Sequence, residues 1–218
     1  MSDSPSLRIL LTGVTGFIGY HLAFRLIKDG HHVQAIVRPE SDLSHLPAEI
    51  VTSVYDGSMN SMNDALKLTQ PDLVIHLASC FLAKHTADDI DRLVDSNLRF
   101  GLHLLEAMSA NGCRKLVNTG TAWQHYQNAD YDPVCLYAAT KQAFEDLIMY
   151  YVNAHLFEVI TLKLHDTFGP RDTRRKIVSL LIDAAIKQTE LELSPGGQYI
   201  DLTHVEDVVS AFVSGVEM

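Results

Sequence analysis

The chain lacks the cysteines, the long apolar runs and the positive charge that several protein classes need. Its three cysteines, Cys80, Cys113 and Cys135, are widely spaced, which argues against a disulfide framework and predicts reduced thiols in a cytoplasmic protein. No apolar run approaches a membrane span, and no secretory signal precedes Leu7. The net charge of −10 argues against nucleic acid and membrane surfaces as partners, and the eleven histidines show no metal-ligand spacing, so no metal is expected.

What the chain does contain is a glycine turn close to its start. Residues 8–12 read as a buried strand, glycines follow at three-residue spacing, and a helical apolar pattern begins at Phe17. Such a turn lets backbone N–H groups and the positive end of the helix dipole meet a pyrophosphate. The alternative is a tight turn whose glycines serve packing only. The residues expected to bind a dinucleotide here are Gly13, Thr15, Gly16, Phe17 and Ile18.

Strands and helices alternate through residue 165. The predicted strands are Arg8–Thr12, Val33–Val37, Ile50–Tyr55, Asp72–Leu77, Lys115–Asn118 and Phe157–Leu164. The predicted helices between them are Phe17–Asp29, Met59–Thr69, Asp88–Ala110 and Leu136–Ala154. This alternation is typical of α/β proteins with a doubly wound parallel sheet, the Rossmann architecture. We therefore assign residues 1–165 to a dinucleotide-binding domain.

Residues 166–218 depart from this rhythm. Their pattern predicts a basic turn, a helix over Arg174–Gln188, a turn at 194–197, a short strand at Tyr199–Leu202 and a last helix from Val205. We assign them to a small, apparently incomplete C-terminal substrate-binding part with elements that return to the core. The last helix reaches the end of the sequence without a capping signal. The sequence is thus expected to be a partial chain or a short relative with an open substrate site.

Ligands of such sheets bind beyond the carboxyl ends of the strands. Arg38 follows the second strand, where an acidic residue would bind the ribose of NAD. A guanidinium at this place suits a 2′-phosphate instead, which favours NADP over NAD as the cofactor. The alternative is that Arg38 is a solvated charge and that Glu40 or Asp42 binds the ribose.

Other strand ends supply further cofactor-binding candidates. Asp56, followed by Gly57, can accept a hydrogen bond from the adenine amino group, although it can equally form an Asx turn. His76 is expected to be a core histidine rather than a catalyst. The remaining cofactor-binding candidates are Leu77, Ala78, Ser79 and Thr119.

The candidate catalytic residues follow the fifth strand. Tyr137 and Lys141 stand four apart at the start of a helix, which places both on one face. A phenol is a useful acid–base near neutral pH only where a cation stabilises its ionised form, and Lys141 can supply that charge. Thr121 can offer a hydroxyl to the same substrate oxygen. The alternative is an ordinary helix-start aromatic residue and an exposed lysine.

The order of these motifs resembles the extended short-chain dehydrogenases/reductases, a superfamily of sugar-nucleotide epimerases, dehydratases and reductases. The matching segments span nearly the whole chain: Thr12–Gly19, Asp56, His76–Ala78, Asn97, Thr121, Tyr137–Lys141, Phe168–Pro170 and His204–Asp207. The resemblance implies an oxidoreductase whose catalytic residues are Thr121, Tyr137 and Lys141. It also implies that the glycines bind the pyrophosphate, Asp56 the adenine and Arg38 the 2′-phosphate.

Three longer segments resemble, more narrowly, enzymes of the CDP-abequose synthase type: Asn118–Tyr126, Tyr137–Asp146 and Ser194–Gly197. Those enzymes use NADPH to reduce the 4-keto group of a CDP-linked deoxy-sugar in lipopolysaccharide O-antigen biosynthesis. Sugar-nucleotide 4,6-dehydratases carry an Asp-Glu pair after the threonine, whereas this chain has Ala122 and Trp123, which cannot transfer protons. Reduction of a nucleotide-linked keto-sugar is therefore implied. A 4-epimerase, or a binding module that senses NADP, remains open.

Substrate contacts are expected from four aromatic and basic residues: Trp123, Tyr126, Arg171 and Arg174. The two arginines belong to a basic cluster, residues 171–176, which reads either as a site for the diphosphate of a nucleotide-sugar or as a solvated turn. Family analogy further suggests a homodimer formed through the helices predicted at Asp88–Ala110 and Leu136–Ala154.

Overall fold

The computed structural model describes residues 5–193, 195–197 and 199–217, and its centre is a six-stranded parallel sheet. The strands are β1 (Arg8–Thr12), β2 (His32–Val37), β3 (Val51–Val54), β4 (Leu73–His76), β5 (Lys115–Thr121) and β6 (Glu158–Leu164). Their order is β3-β2-β1-β4-β5-β6, and all neighbours run parallel. This is the doubly wound arrangement, so the predicted fold class is confirmed.

Helices cover both faces of the sheet. The α-helices of the described residues are α1 (Phe17–Lys28), α2 (Met59–Thr69), α3 (Ile90–Val94), α4 (Phe100–Ala110), α5 (Leu136–His155), α6 (Ile177–Lys187) and α7 (Val205–Val216). One apolar core joins the sheet to α1 and α7, and a second joins it to α2, α4 and α5. Because both faces are covered, β1 reads as a continuous apolar run: Ile9, Leu10 and Leu11 have no exposed surface.

The helix predicted over Asp88–Ala110 is not one α-helix. It starts with a 3-10 turn at Ala87–Asp89, continues as α3, widens into a π-helical turn at Asp95–Arg99 and resumes as α4. The π turn holds the buried Asn97, whose side chain bonds the backbone of Cys80 at 2.7 and 3.1 Å and the hydroxyl of Thr140 at 2.9 Å. Apolar periodicity did not reveal the π turn, because a single wide turn barely disturbs the helical pattern.

Strand β5 continues to Thr121 instead of ending at Asn118. Its polar end pairs with β6 through Gly120↔Lys163 and Thr121↔Leu164. Residues 119–121 add no apolar residue to the strand pattern, so the predicted strand ended at Asn118. Thr121 is therefore the last residue of a strand.

The C-terminal part differs most from the prediction. Strand β8 (Leu202–His204) pairs in parallel with β7 (Asp166–Phe168), so the strand predicted at Tyr199–Leu202 was misplaced, and Tyr199 is fully exposed. Ser194 of the predicted turn lies outside the described residues. Helix α7 begins at Val205 as predicted and packs on α1. In the part of the chain that the structure describes, no helix is long and apolar enough to cross a membrane.

Candidate functional site

The glycine turn lies where β1 passes into α1, at the point where the strand order reverses between β1 and β4. Gly13 has a φ of +75°, and a Cβ there would lie 2.8 Å from the backbone nitrogen of Ala78. A Cβ on Gly19 would lie only 2.1 Å from the carbonyl oxygen of Gly13. Both positions therefore require glycine, one for conformation and contact, the other for the close approach of α1 to the turn.

Thr12 joins the ends of the two central strands. Its Oγ1 bonds Nδ1 of His76 at 2.8 Å and accepts the backbone N–H groups of Leu77 and Ala78 at 3.2 and 3.1 Å. These bonds hold residues 77–79 against the glycine turn. His76 is 1% exposed and packs against Phe100 and Phe144, so the expected core histidine is the one observed.

Burial of His76 makes the stability of the fold depend on pH. Desolvation, with a smaller effect of the Lys141 charge, lowers the pKa of His76 from 6.5 to about 3. Below pH 6.5 the imidazole of His76 is protonated in the unfolded chain, whereas in the folded chain it stays neutral down to about pH 3. The free energy of unfolding is therefore highest above pH 6.5 and falls on acidification. We expect His76 to contribute a loss of up to about 1.4 kcal/mol per pH unit in that window.

Urea unfolding at several pH values tests this expectation. His76→Asn keeps a side-chain partner for Thr12 but cannot be protonated, so its free energy of unfolding should fall less steeply with acidification than that of the native chain. His85→Asn, at an exposed position, is the matched control and should retain the native slope. Equal slopes for the His76 variant and the native chain would contradict the assignment.

A cleft of about 480 Å³ opens at the carboxyl edge of the sheet, within the usual size of a small-molecule site. The glycine turn forms one wall, the ends of β4 and β5 form the floor, and the segment after β6 forms the other wall. Two of the three predicted catalytic residues, Thr121 and Tyr137, line it. Lys141, the third, does not line the cleft; it follows Tyr137 by one helical turn on α5 and is 3% exposed.

The environment of Tyr137 suits a side chain that donates a proton. Burial raises the pKa of Tyr137 above its ordinary value, and a hydrogen bond with the Ser79 side chain acts in the opposite direction. Burial lowers the pKa of Lys141 to about 8, partly offset by the charge of Glu145. Thr121 accepts the N–H of Trp123 on its Oγ1 at 3.3 Å, which leaves the hydroxyl hydrogen free to donate into the cleft.

An aromatic residue that the sequence prediction missed also lines the cleft. The ring of Phe81 lies 5.0 Å from that of Tyr137 and 5.5 Å from that of Trp123, and half of Phe81 is exposed. Phe81 follows Ser79 by two residues, so its position beyond a strand end was a usable signal. The three rings form an apolar wall on which the face of a sugar can stack.

Not every predicted binding residue reaches this cleft. Tyr126 lies outside its lining and is half exposed in a 3-10 turn. Arg171 stacks on the ring of Tyr20 at 4.1 Å and borders a separate cavity of about 450 Å³ beside Thr15 and Gly16. Arg38 is exposed and pairs with Glu40 at 3.2 Å.

Asp56 adopts the Asx turn that the sequence left as its alternative reading. Its Oδ1 accepts the backbone N–H of Ser58 at 2.9 Å. Hydrogen bonds from Ser58 and then Ser61 lower the pKa of Asp56 to about 2. The carboxylate is therefore ionised and exposed, and it can still accept a bond from an adenine amino group.

Two of the four cations of the basic cluster, Arg174 and Lys176, form ion pairs within the chain. Arg174 lines the cleft, but its guanidinium bonds Asp172 at 2.7 Å and the hydroxyl of Thr167 at 3.0 Å, and it lies over the ring of Phe17. Lys176 forms an ion pair with Asp166. These bonds hold residues 174–176 in extended or turn conformations, so α6 begins at Ile177 and not at Arg174.

The described residues fit a dinucleotide cofactor. No side chain among them caps the first turn of α1, whose N–H groups face the glycine turn. Among the same residues, the side-chain oxygens of Asn118 and Thr119 are buried without a hydrogen-bond partner, and Thr119 lines the cleft. Buried polar atoms of this kind call for a ligand or water. No group of three potential metal-ligating side chains occurs in the described ranges.

Comparisons with known proteins agree with this geometry. The family model described as "NAD dependent epimerase/dehydratase family" matches residues 9–218. The chain is 30% identical to a CDP-abequose synthase of Yersinia pseudotuberculosis over 208 residues. This alignment covers 95% of this chain and 72% of that protein. The chain is 28% identical to a probable UDP-glucuronate 4-epimerase of Rhizobium meliloti, covering 95% and 67% respectively. The UDP-glucose 4-epimerase of Thermus thermophilus, solved in complex with NAD, superimposes with a TM-score of 0.85 at 25% identity, covering 96% of this chain and 74% of that one.

Proposed function

Because the chain belongs to the NAD dependent epimerase/dehydratase family, it is an enzyme of the oxidoreductase type, and we propose that it reduces the 4-keto group of a nucleotide-linked deoxy-sugar with NADPH. The observation that carries the proposal is Thr121 and Tyr137 in one cleft, with the buried Lys141 one helical turn after Tyr137 on α5. A CDP-linked sugar is the proposed substrate, which the similarity to CDP-abequose synthases supports.

The proposed roles follow from the position and charge of each side chain. Tyr137 gives its proton to the carbonyl oxygen of the sugar, and Thr121 donates a hydrogen bond to the same oxygen. Lys141 stabilises the tyrosinate left behind and reaches the ribose of the cofactor. The hydride for the carbonyl carbon comes from NADPH when it is bound.

Residues 122 and 123 argue against elimination as the reaction. Ala122 carries no ionisable group, and Trp123 presents its ring to the cleft beside Phe81. Dehydration needs an acid and a base at the sugar, and neither residue supplies one. A 4-epimerase is the second candidate, because it uses the same three catalytic residues and because epimerases are among the similar proteins.

A panel of CDP- and UDP-linked 4-keto-sugars, assayed by the absorbance of NADPH, tests the proposal. A reductase oxidises one NADPH for each sugar reduced. An epimerase interconverts sugars without net oxidation, and a binding module that senses NADP binds the cofactor and turns nothing over. The second or third result would refute the proposed reductase.

The preference for NADP over NAD is part of the proposal and rests on Arg38. Its guanidinium is exposed and, in the described ranges, pairs with the exposed Glu40, so it is available for a 2′-phosphate. We expect Arg38→Ala to raise the KM for NADPH about 10- to 100-fold, because a charge-assisted hydrogen bond to the 2′-phosphate is lost. The KM for NADH should be unchanged. Arg25→Ala, which breaks an ion pair with Asp29 at the far end of α1, is the control. A native enzyme that prefers NADH would contradict the role of Arg38.

Four further assignments remain proposals. The proposed substrate contacts are Trp123, Tyr126, Arg171 and Arg174, and the proposed domain boundary lies at residue 165.

A homodimer through α4 and α5 is proposed, since Met149 and Tyr150 of α5 are more than half exposed. A cytoplasmic location is proposed because Cys80, Cys113 and Cys135 are free thiols.

A further inference from the structure

A buried glutamine holds the turn that follows Thr121. Gln124 has no exposed surface and forms a capping box with Thr121 around the 3-10 turn Ala122–Gln124. Its Oε1 accepts the backbone N–H of Thr121 at 2.8 Å. Its Nε2 donates to Gln142 at 2.9 Å and to Glu145 at 2.8 Å. Both amide hydrogens and the amide oxygen are therefore used, which fixes the side chain in one orientation.

Glu145 anchors this glutamine from helix α5. One carboxylate oxygen receives Gln124, and the other pairs with Nζ of Lys163 on β6 at 3.2 Å. Lys163 in turn contacts the ring of His125. A Cβ on Gly120 would lie 2.8 Å from Oε1 of Glu145, so the carboxylate packs directly against the backbone of β5. Groups from a turn and from two strands thus hold the carboxylate in place.

The carboxylate of Glu145 also acts electrostatically on Lys141, which precedes Glu145 by one helical turn on α5. The charge of Glu145 opposes the effect of burial, which lowers the pKa of Lys141 to about 8. The other charged or titratable groups near Glu145 are Lys163 on β6, His125 in the turn and, on α5 itself, Asp146, which accepts a bond from Gln142. Neither Gln124 nor Glu145 lines the cleft, so both act through other residues.

We propose that Gln124 and Glu145 are positioning residues of the active site: together they fix Thr121, and Glu145 places its carboxylate one helical turn from Lys141. This inference rests on the proposed function, which gives Thr121 and Lys141 their catalytic roles. Trp123 lies in the turn that Gln124 holds, and its backbone N–H donates to Oγ1 of Thr121. Loss of Gln124 should therefore loosen both the backbone of Thr121 and the bond that orients its hydroxyl.

Gln124→Leu tests the first half of the inference. The variant keeps the buried volume but loses all three hydrogen bonds, so we expect kcat to fall about 10- to 100-fold with KM and NADPH affinity nearly unchanged. The backbone amide of Thr121 should exchange its hydrogen faster, as measured by NMR. Gln124→Glu, which retains an acceptor for Thr121 but cannot donate to Glu145, should lose kcat as well and serves if the leucine variant does not fold. Gln127→Asn, at an exposed position in the next turn, is the control.

Glu145→Gln tests the second half. Its amide oxygen can still accept from Gln124, whereas the charge near Lys141 is lost. The alkaline limb of the pH profile of kcat/KM should therefore move to lower pH, because Lys141 loses its proton more readily. Glu106→Gln, a carboxylate bonded to Tyr151 instead, should leave the profile unchanged. An unshifted limb in the Glu145 variant would overturn this half.

The two proposals can fail separately. If the native enzyme turns over none of the keto-sugars, the proposed function fails, and hydrogen exchange at Thr121 still decides whether Gln124 positions it. If the native enzyme is active and Gln124→Leu retains both its kcat and the slow exchange of Thr121, the positioning role is refuted.

Discussion

Replacing Tyr137 by phenylalanine is expected to abolish turnover while the enzyme still binds NADPH. The phenol is the only acid of the cleft wall formed by Phe81, Trp123 and Tyr137, and general acid catalysis contributes about 10²- to 10⁴-fold to rate. Phenylalanine preserves the ring that packs edge-on against Phe81 at 5.0 Å. The loss should therefore lie in kcat, which is measured with saturating NADPH and the best keto-sugar of the panel.

A matched substitution separates the loss of the hydroxyl from a general effect on α5. Tyr150 lies on the same helix with 60% of its surface exposed, and Tyr150→Phe should leave kcat unchanged. NADPH titration by fluorescence should give nearly equal Kd values for the native enzyme and both variants. Near-normal turnover of Tyr137→Phe would refute its role as the acid.

Gly19→Ala is expected to damage the cofactor site more than any other single-methyl change. The new Cβ would lie 2.1 Å from the carbonyl oxygen of Gly13 and 2.8 Å from the Cα of Val14, and both contacts are to backbone. No side chain can rotate away, so α1 has to shift from the glycine turn that its N-terminus faces. We expect a loss of about 3 kcal/mol or more in the free energy of unfolding, at the upper end for overpacking. NADPH affinity should fall with it, since the helix N-terminus moves away from the pyrophosphate.

The control for this prediction is Gly112→Ala. Gly112 has a φ of +79°, but a Cβ there would meet no atom within 4 Å. It therefore measures conformational strain alone, about 1–2 kcal/mol, and should not affect NADPH binding. Urea unfolding of both variants measures the loss in the free energy of unfolding, and NADPH titration measures the change in cofactor affinity. Equal losses in the two variants would show that close approach of α1 to the turn is not what Gly19 provides.

The local parts of the site could be predicted because their signals lie within a few residues. A strand, three spaced glycines and a helix follow one another directly, and Tyr137 and Lys141 share a face through helical spacing alone. The sheet could be predicted because alternating strands and helices with right-handed crossovers leave few topologies. The misplaced elements lie at the end of β5 and in β8, where the pattern was polar or irregular, and in the π turn around Asn97, which barely disturbs the helical pattern.

The glycine turn, the doubly wound class of the sheet and the shared helix face of Tyr137 and Lys141 were thus determined by the sequence itself, since each depends on a pattern along the chain. Only the tertiary structure decided that the ring of Phe81 packs against that of Tyr137, that Asp172 and Asp166 pair with Arg174 and Lys176, and that Gln124, bonded to Glu145, binds the N–H of Thr121. These contacts join residues from different strands, helices and turns. Their formation depends on the packing of the whole sheet, and no spacing along the chain encodes it.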